Sequence, residues 1–214
     1  MPTKTKSVSA LSSLKYLPSF AHYLLTHKLR PFVIEQIRLL REVKTPLLRF
    51  FEGMTEEALI DYSMKTAGEF LQYLADNKAD QQIEDSLKRW VTNKLPGVER
   101  DQIEADDIML ISYVRKQAFL SFMPGFCVDT EQMLYLIHEI DLYIKKSESA
   151  ATSTFISLLR NRIEEQAHFN QQLTDKSPAI IYLFDPKTLS ITYTNKKAEE
   201  FTGITNQQMN ERGS

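Results

Sequence analysis

The sequence predicts a mainly α protein whose last part switches to a short α/β segment, and three observations predict it. Only six glycines and eight prolines interrupt 214 residues, so elements run long. Apolar residues recur at three- and four-residue spacing from Phe20 to Leu173, the signature of helices that each bury one stripe. Strand-like alternation begins only after Pro178.

Residues 1–17 are polar, rich in Ser and Lys and without a period, and are expected to form a flexible N-terminus. Residues 18–147 are expected to form a helical domain. Phe20 and Leu24 begin its first stripe, and Pro31 occupies what looks like a first helical position ahead of Phe32, Ile34, Ile37, Leu40 and Val43. Thr45-Pro46 is a cap followed by a first turn. Gly53 ends the segment it opens. Thr55-Glu56-Glu57 starts the next helix, with acids where the helix dipole favours them, and Ala58, Tyr62, Ala67, Phe70 and Leu74 mark its face. Asp80 is the expected cap of a helix carrying Ile83, Leu87, Trp90 and Val91, closed by a break at Pro96-Gly97.

Ala105 to Phe122 is the most apolar helix. Ile108, Ile111, Val114, Ala118 and Phe122 lie on one side, and Leu110, Tyr113 and Leu120 extend around it, so a central position is expected. After Pro124-Gly125, Asp129 or Thr130 caps a helix with the stripe Met133, Leu136, Ile137, Ile140 and Ile144. No glycine or proline follows until Pro178, so this helix is expected to run to about Asp175.

Within its second half, residues 148–176, the pattern narrows. Ile156, Leu159, Ile163, Gln166, Asn170 and Leu173 alternate at three and four, a period of 3.5 that describes a two-stranded coiled coil. Asn170 falls at an a position, where a buried asparagine fixes parallel dimeric register at some cost in stability. The competing expectation is an ordinary amphipathic helix folded onto its own domain. Residues 177–214 then show a hairpin, with Ile180 to Phe184 apolar in both phases as in a strand covered on two faces. Asp185 to Thr188 make the turn, and Leu189, Ile191 and Tyr193 alternate with polar residues. Asn195 caps a short helix that closes at Gly203.

A single cysteine, Cys127, rules out a disulfide within the chain and fits a reducing compartment. No run approaches the about 18 apolar residues of a membrane span, and the N-terminus lacks a secretory core. A cytoplasmic location is the expectation. Residues 1–50 carry nine Lys or Arg against Glu35 and Glu42, while residues 51–150 carry nineteen acids against ten bases. The basic residues are scattered, with no aromatic platform between them, so a nucleic-acid partner is not expected.

The chemistry-bearing residues are sparse. No phosphate-cradling glycine loop and no nucleophile elbow exists, and the pairs Asp106-Asp107 and Glu56-Glu57 stand at helix starts, where capping explains them. No cofactor or metal is predicted. His138 is a weak haem-ligand candidate, one residue beyond its helix's buried stripe; His22 and His27, five apart, do not share a face. Neither His138 nor His168 has the context of a phospho-acceptor. Cys127 near a helix start raises the question of a lowered thiol pKa. A small apolar ligand is the more credible partner. Its candidate lining is Trp90, Met109, Tyr113, Phe119, Phe122 and Met133, although such a stripe is more often plain core.

Two family resemblances bear on function. Ser177-Pro178-Ala179-Ile180-Ile181-Tyr182-Leu183-Phe184-Asp185, with the stretch from Ile191 through Asn195, Ala198-Glu199 and Thr202-Gly203, resembles the opening of a PAS domain. That resemblance implies that the domain's other elements lie beyond Ser214, in a longer parent protein. Residues 30–175 resemble, more loosely, the non-haem globin-like sensor domains of RsbR-type stressosome proteins. Tyr113-Val114-Arg115-Lys116, Phe119 to Pro124, Leu136 and Glu139 to Tyr143 carry the likeness. It implies a globin-like bundle whose last helix leaves as a dimeric linker.

Together the resemblances imply the sensory input region of a cytoplasmic bacterial signal-transduction protein, of the PAS-containing sensor histidine kinase type, with no catalytic machinery in this chain. Its implied partners are a second copy through the linker helix and the downstream signalling domains. The alternatives are a haem- or other cofactor-binding globin-type sensor and a ligand-free dimerisation or adaptor module.

Overall fold

The computed structural model describes residues 10–92, 103–188, 190–204 and 208. The expected break at Pro96-Gly97 and Leu189 of the hairpin lie outside them. The chain divides into two compact units, Met1–Ile156 and Ser157–Ser214.

The first unit is helical throughout its described residues: α1 (Leu17–Tyr23), α2 (Leu29–Glu42), α3 (Glu56–Ala75), α4 (Ala79–Val91), α5 (Ala105–Phe122) and the first part of α6 (Thr130–Asp175). A mainly α fold is what the sparse glycines and prolines require. Helix α1 packs on α3, α2 on α3 and α5, and α3 on α4. At the centre, Phe119 is fully buried and meets Phe20, Phe32 and Phe70 at ring-centroid distances of 5.9, 5.6 and 6.1 Å. Such tilted aromatic contacts add to the area they bury. Leu136, Ile140, Tyr143 and Ile144 bring α6 into the same core, and Val33, Ile37, Leu59, Ile60 and Ala67 form a smaller one between α2 and α3.

Several local expectations need correction. Residues 10–17 are not a flexible end. Ala10–Ser13 form a 3-10 turn, and Leu11, Leu14 and Leu17 are buried in the main core. Glu139 of α6 holds the junction, its carboxylate accepting from the backbone N–H of Lys15, Tyr16 and Leu17 at 2.8, 2.8 and 2.7 Å. A helix start leaves such donors without intrahelical partners, and here a distant carboxylate supplies the cap that Tyr16 does not. Pro31 opens no helix. It is the third residue of α2, preceded by a wider π turn at Leu24–Lys28, which accommodates its missing N–H and bulky ring. Asp80 is not a cap either: Lys78 precedes α4, and Asp80 pairs with Lys146 at 3.1 Å. Helix α5 is not surrounded, because Met109 and Tyr113 are 54% and 49% exposed.

Thr55 and Asn195 do cap their helices, accepting from Ala58 and Ala198 at 3.3 and 3.2 Å. Helix α6 runs unbroken for 46 residues, about 70 Å at 1.5 Å per residue. Asp129 caps it through Gln132 N at 2.7 Å. The expected linker, residues 148–176, is not a unit of its own. Up to Ile156 it belongs with the bundle, where Phe155 stacks on Trp90 at 6.4 Å.

The second unit holds the remainder of α6, β1 (Tyr182–Asp185), β2 (Ser190–Thr194) and α7 (Lys196–Thr202). The strands pair antiparallel, Tyr182 against Thr194 and Leu183 against Tyr193, with an irregularity between Leu183 and Phe184. Tyr182, Leu183 and Phe184 are all exposed, so β1 is not the two-sided buried strand its composition suggested. Asn195, fully buried, clasps this unit with every amide position used. Its oxygen accepts from Ile181 N and Ala198 N at 3.0 and 3.2 Å. Its nitrogen donates to Thr174 O and Ala179 O at 2.8 and 3.0 Å. Gly203 closes α7 at φ 69°, a left-handed conformation that costs glycine nothing.

Replacing Glu139 by Ala strands three N–H groups and is expected to cost about 1–2 kcal/mol. A lower urea midpoint with unchanged slope is the readout, and Glu139→Gln, which keeps an acceptor, should recover part of the loss.

Candidate functional site

Helix periodicity places one polar group per turn on the inner faces of three helices. On α4 these are Gln82 and Ser86, with Trp90 one turn further; on α6, Tyr143 and Ser147; on α5, Ser112 and Arg115. Apart from Tyr143, these side chains line a cavity of about 170 Å³, completed mainly by Ile83, Leu87, Ile108 and Ile111. A second cavity of about 250 Å³ lies among α2, the turn Pro46–Phe51, α3 and α5, walled largely by Ile37, Leu40, Phe51, Ala67 and Phe70. Ile111 and Arg115 line both.

The first cavity carries a directed hydrogen-bond chain. The fully buried Tyr143 hydroxyl donates to Gln82 Oε1 at 2.6 Å, and Gln82 Nε2 donates to Ser86 Oγ at 2.8 Å. Since Ser86 accepts in that bond, its own proton points onward. Burial pushes the Tyr143 phenol above its usual pKa, while the Arg115 charge and hydrogen bonds from Ser147 and Arg115 oppose that. The Arg115 guanidinium also lies over the Phe70 ring, 4.5 Å from its centroid. Among the described residues it pairs with no carboxylate. Trp90 is only 5% exposed, and its indole N–H is buried with no acceptor among the described residues. A stranded buried donor costs about 1–3 kcal/mol. Neither cavity has a described His, Cys, Asp or Glu in its lining.

Of the six expected ligand-lining residues, Trp90 alone borders either of these two cavities. Phe119 belongs to the aromatic core, Phe122 packs edge-on against Phe32 at 5.8 Å, and Met133 packs against the main core from α6. Met109 and Tyr113 face outward. Aromatic and methionine content marked the core, not the cavity. Arg115 was missed as a site residue, although a signal existed: it stands four residues after Ile111 and three before Ala118, on the buried stripe. Gln82, Ser86 and Trp90 gave another, at successive intervals of four.

His138 is exposed on α6 and borders neither cavity, so it is no axial ligand for a group held in either. Among the described residues no three His, Cys, Asp or Glu side chains gather as a metal site would need. None of the described helices is long and apolar enough to cross a membrane.

The linker residues form a second candidate site of a different kind. Every residue from Leu159 to Leu173 is exposed. Ile163 is 68% and Leu173 56% exposed, and Ile156 and Leu159 are exposed as well. Gln166 Nε2 donates to Asn170 Oδ1 at 3.3 Å, one hydrogen bond between the two polar seam residues. Comparison of the chain with family models, curated proteins and solved structures returned no match.

Cys127 has its thiol pKa raised, by burial first and by Asp129 second, the reverse of a helix-activated thiol. Alkylation by iodoacetamide at about pH 8 is therefore expected to be slower than that of free cysteine, and Asp129→Asn should speed it.

Proposed function

We propose that this chain is the sensory input region of a signal-transduction protein, in which a ligand or partner acting on the helical unit is reported through pairing of α6 with a second copy. The observation that carries the reading is the bare seam of α6. Exposed apolar residues at 3.5-residue spacing favour a second strand. Asn170 at an a position favours two parallel strands in one register. The cavities beside Arg115 give such a device somewhere to take a signal, because a ligand shifts an equilibrium only through differential binding to its states.

The finer reading, a globin-like sensor ahead of a PAS domain in a histidine kinase, rests on the sequence resemblances. Asn195 supports its second half: its four amide hydrogen bonds tie the end of α6, the hairpin and α7 together, as a strand-to-helix cap at a domain opening would. On this reading the chain binds and transmits, and any catalysis belongs to a downstream domain.

Size-exclusion chromatography with light scattering tests the proposal. A dimer is expected at roughly 0.1 mM chain, where weak association is populated. Ile163→Asp should give a monomer with its far-UV spectrum largely retained. A parent chain that stays monomeric overturns the reading. Asn170→Leu should tighten association while loosening its stoichiometry, seen as trimers or mixed species.

A further inference from the structure

The cavity between α4, α5 and α6 presents donors that no described acceptor answers, beside the Ser112 and Ser147 hydroxyls, which can donate or accept. Trp90 contributes an N–H with no acceptor, Ser86 a hydroxyl proton directed onward by Gln82, and Arg115 a guanidinium with no carboxylate partner, all among the described residues. Gln82 Oε1 is already taken by Tyr143. A guanidinium offers five N–H donors, of which Arg115 gives one to Tyr143, and a carboxylate has about four acceptor positions, so an anion of that shape answers the donors that remain. The rest of the wall is apolar, chiefly Ile83 and Ile108. At about 170 Å³ the space slightly exceeds the roughly 150 Å³ that accepts a benzene ring, and it is too small for a long acyl chain.

We propose that this cavity binds a small aromatic monocarboxylate, its carboxylate held by Arg115, Ser86 and the Trp90 N–H and its ring set among the isoleucines. The proposal rests on the sensor reading for its purpose, since it names the class of signal. The site itself stands on the unmatched donors.

Sodium benzoate is the probe, titrated into the purified full chain. Trp90 is the chain's sole tryptophan, so its fluorescence reports the cavity directly. The expected result is a saturable fluorescence change with a dissociation constant below about 1 mM and a melting temperature that rises with benzoate. Benzyl alcohol, which keeps the ring and lacks the charge, should bind about tenfold more weakly. Arg115→Gln should lose a similar factor, and Trp90→Phe, read by thermal shift, a few-fold. No saturable response overturns the proposal. So does equal binding of benzyl alcohol, or a folded Arg115→Gln chain that binds as the parent does. If Arg115→Gln does not fold, Ser86→Ala decides: a few-fold loss supports the site and unchanged affinity overturns it. Light scattering reads pairing separately. A dimer that ignores benzoate removes this site and leaves the pairing reading; a monomer that binds benzoate does the reverse.

Discussion

One helix lives in two solvents. From Leu136 to Ile144, α6 is held by the core, with Tyr143 fully buried and Glu139 fixing the start of α1. From Leu159 to Leu173 every residue of the same helix is exposed. A helix nucleated and anchored at one end propagates cheaply, one hydrogen bond per residue fixed, and no glycine or proline stops it before Pro178. The buried half therefore accounts for the helix, while the other half carries an exposed apolar seam. The proposed pairing depends on that asymmetry.

The bundle around the buried half separates two jobs that composition alone merges. Its aromatic rings fill the centre: Phe20, Phe32 and Phe70 each pack against Phe119, and Phe70 also walls the second cavity. Its polar residues gather to one side, where Gln82, Ser86, Tyr143, Ser147 and Arg115 form a network that is satisfied except at its rim. Buried polar networks specify a single arrangement when complete, and a network with donors to spare asks for a ligand or water.

Much of the fold was legible in the sequence. The extent of α6 followed from the absence of breakers, and the caps at Thr55, Asp129 and Asn195 followed from side chains that reach nearby backbone N–H groups. The failures share a cause. Leu11, Leu14 and Leu17 read as a flexible end because Ser and Lys stand between them, and only Glu139, more than a hundred residues away, makes that end a helix start. Asp80 resembled a cap, yet Lys146 from α6 claims it. Met109, Tyr113, Phe119, Phe122 and Met133 looked like a pocket because of their aromatic and methionine content, which says neither whether a residue is buried nor what it faces.

By itself, then, the sequence determined what is local: helix period, length and caps, the hairpin after Pro178, and the 3.5-residue seam on α6, since each depends on neighbours within a few turns. Tertiary structure alone decided which buried residues border space and which fill it. It put Arg115 and Trp90 on one cavity wall and Phe119 in the packed centre, because a cavity is made by side chains from three helices whose mutual placement no single helix encodes.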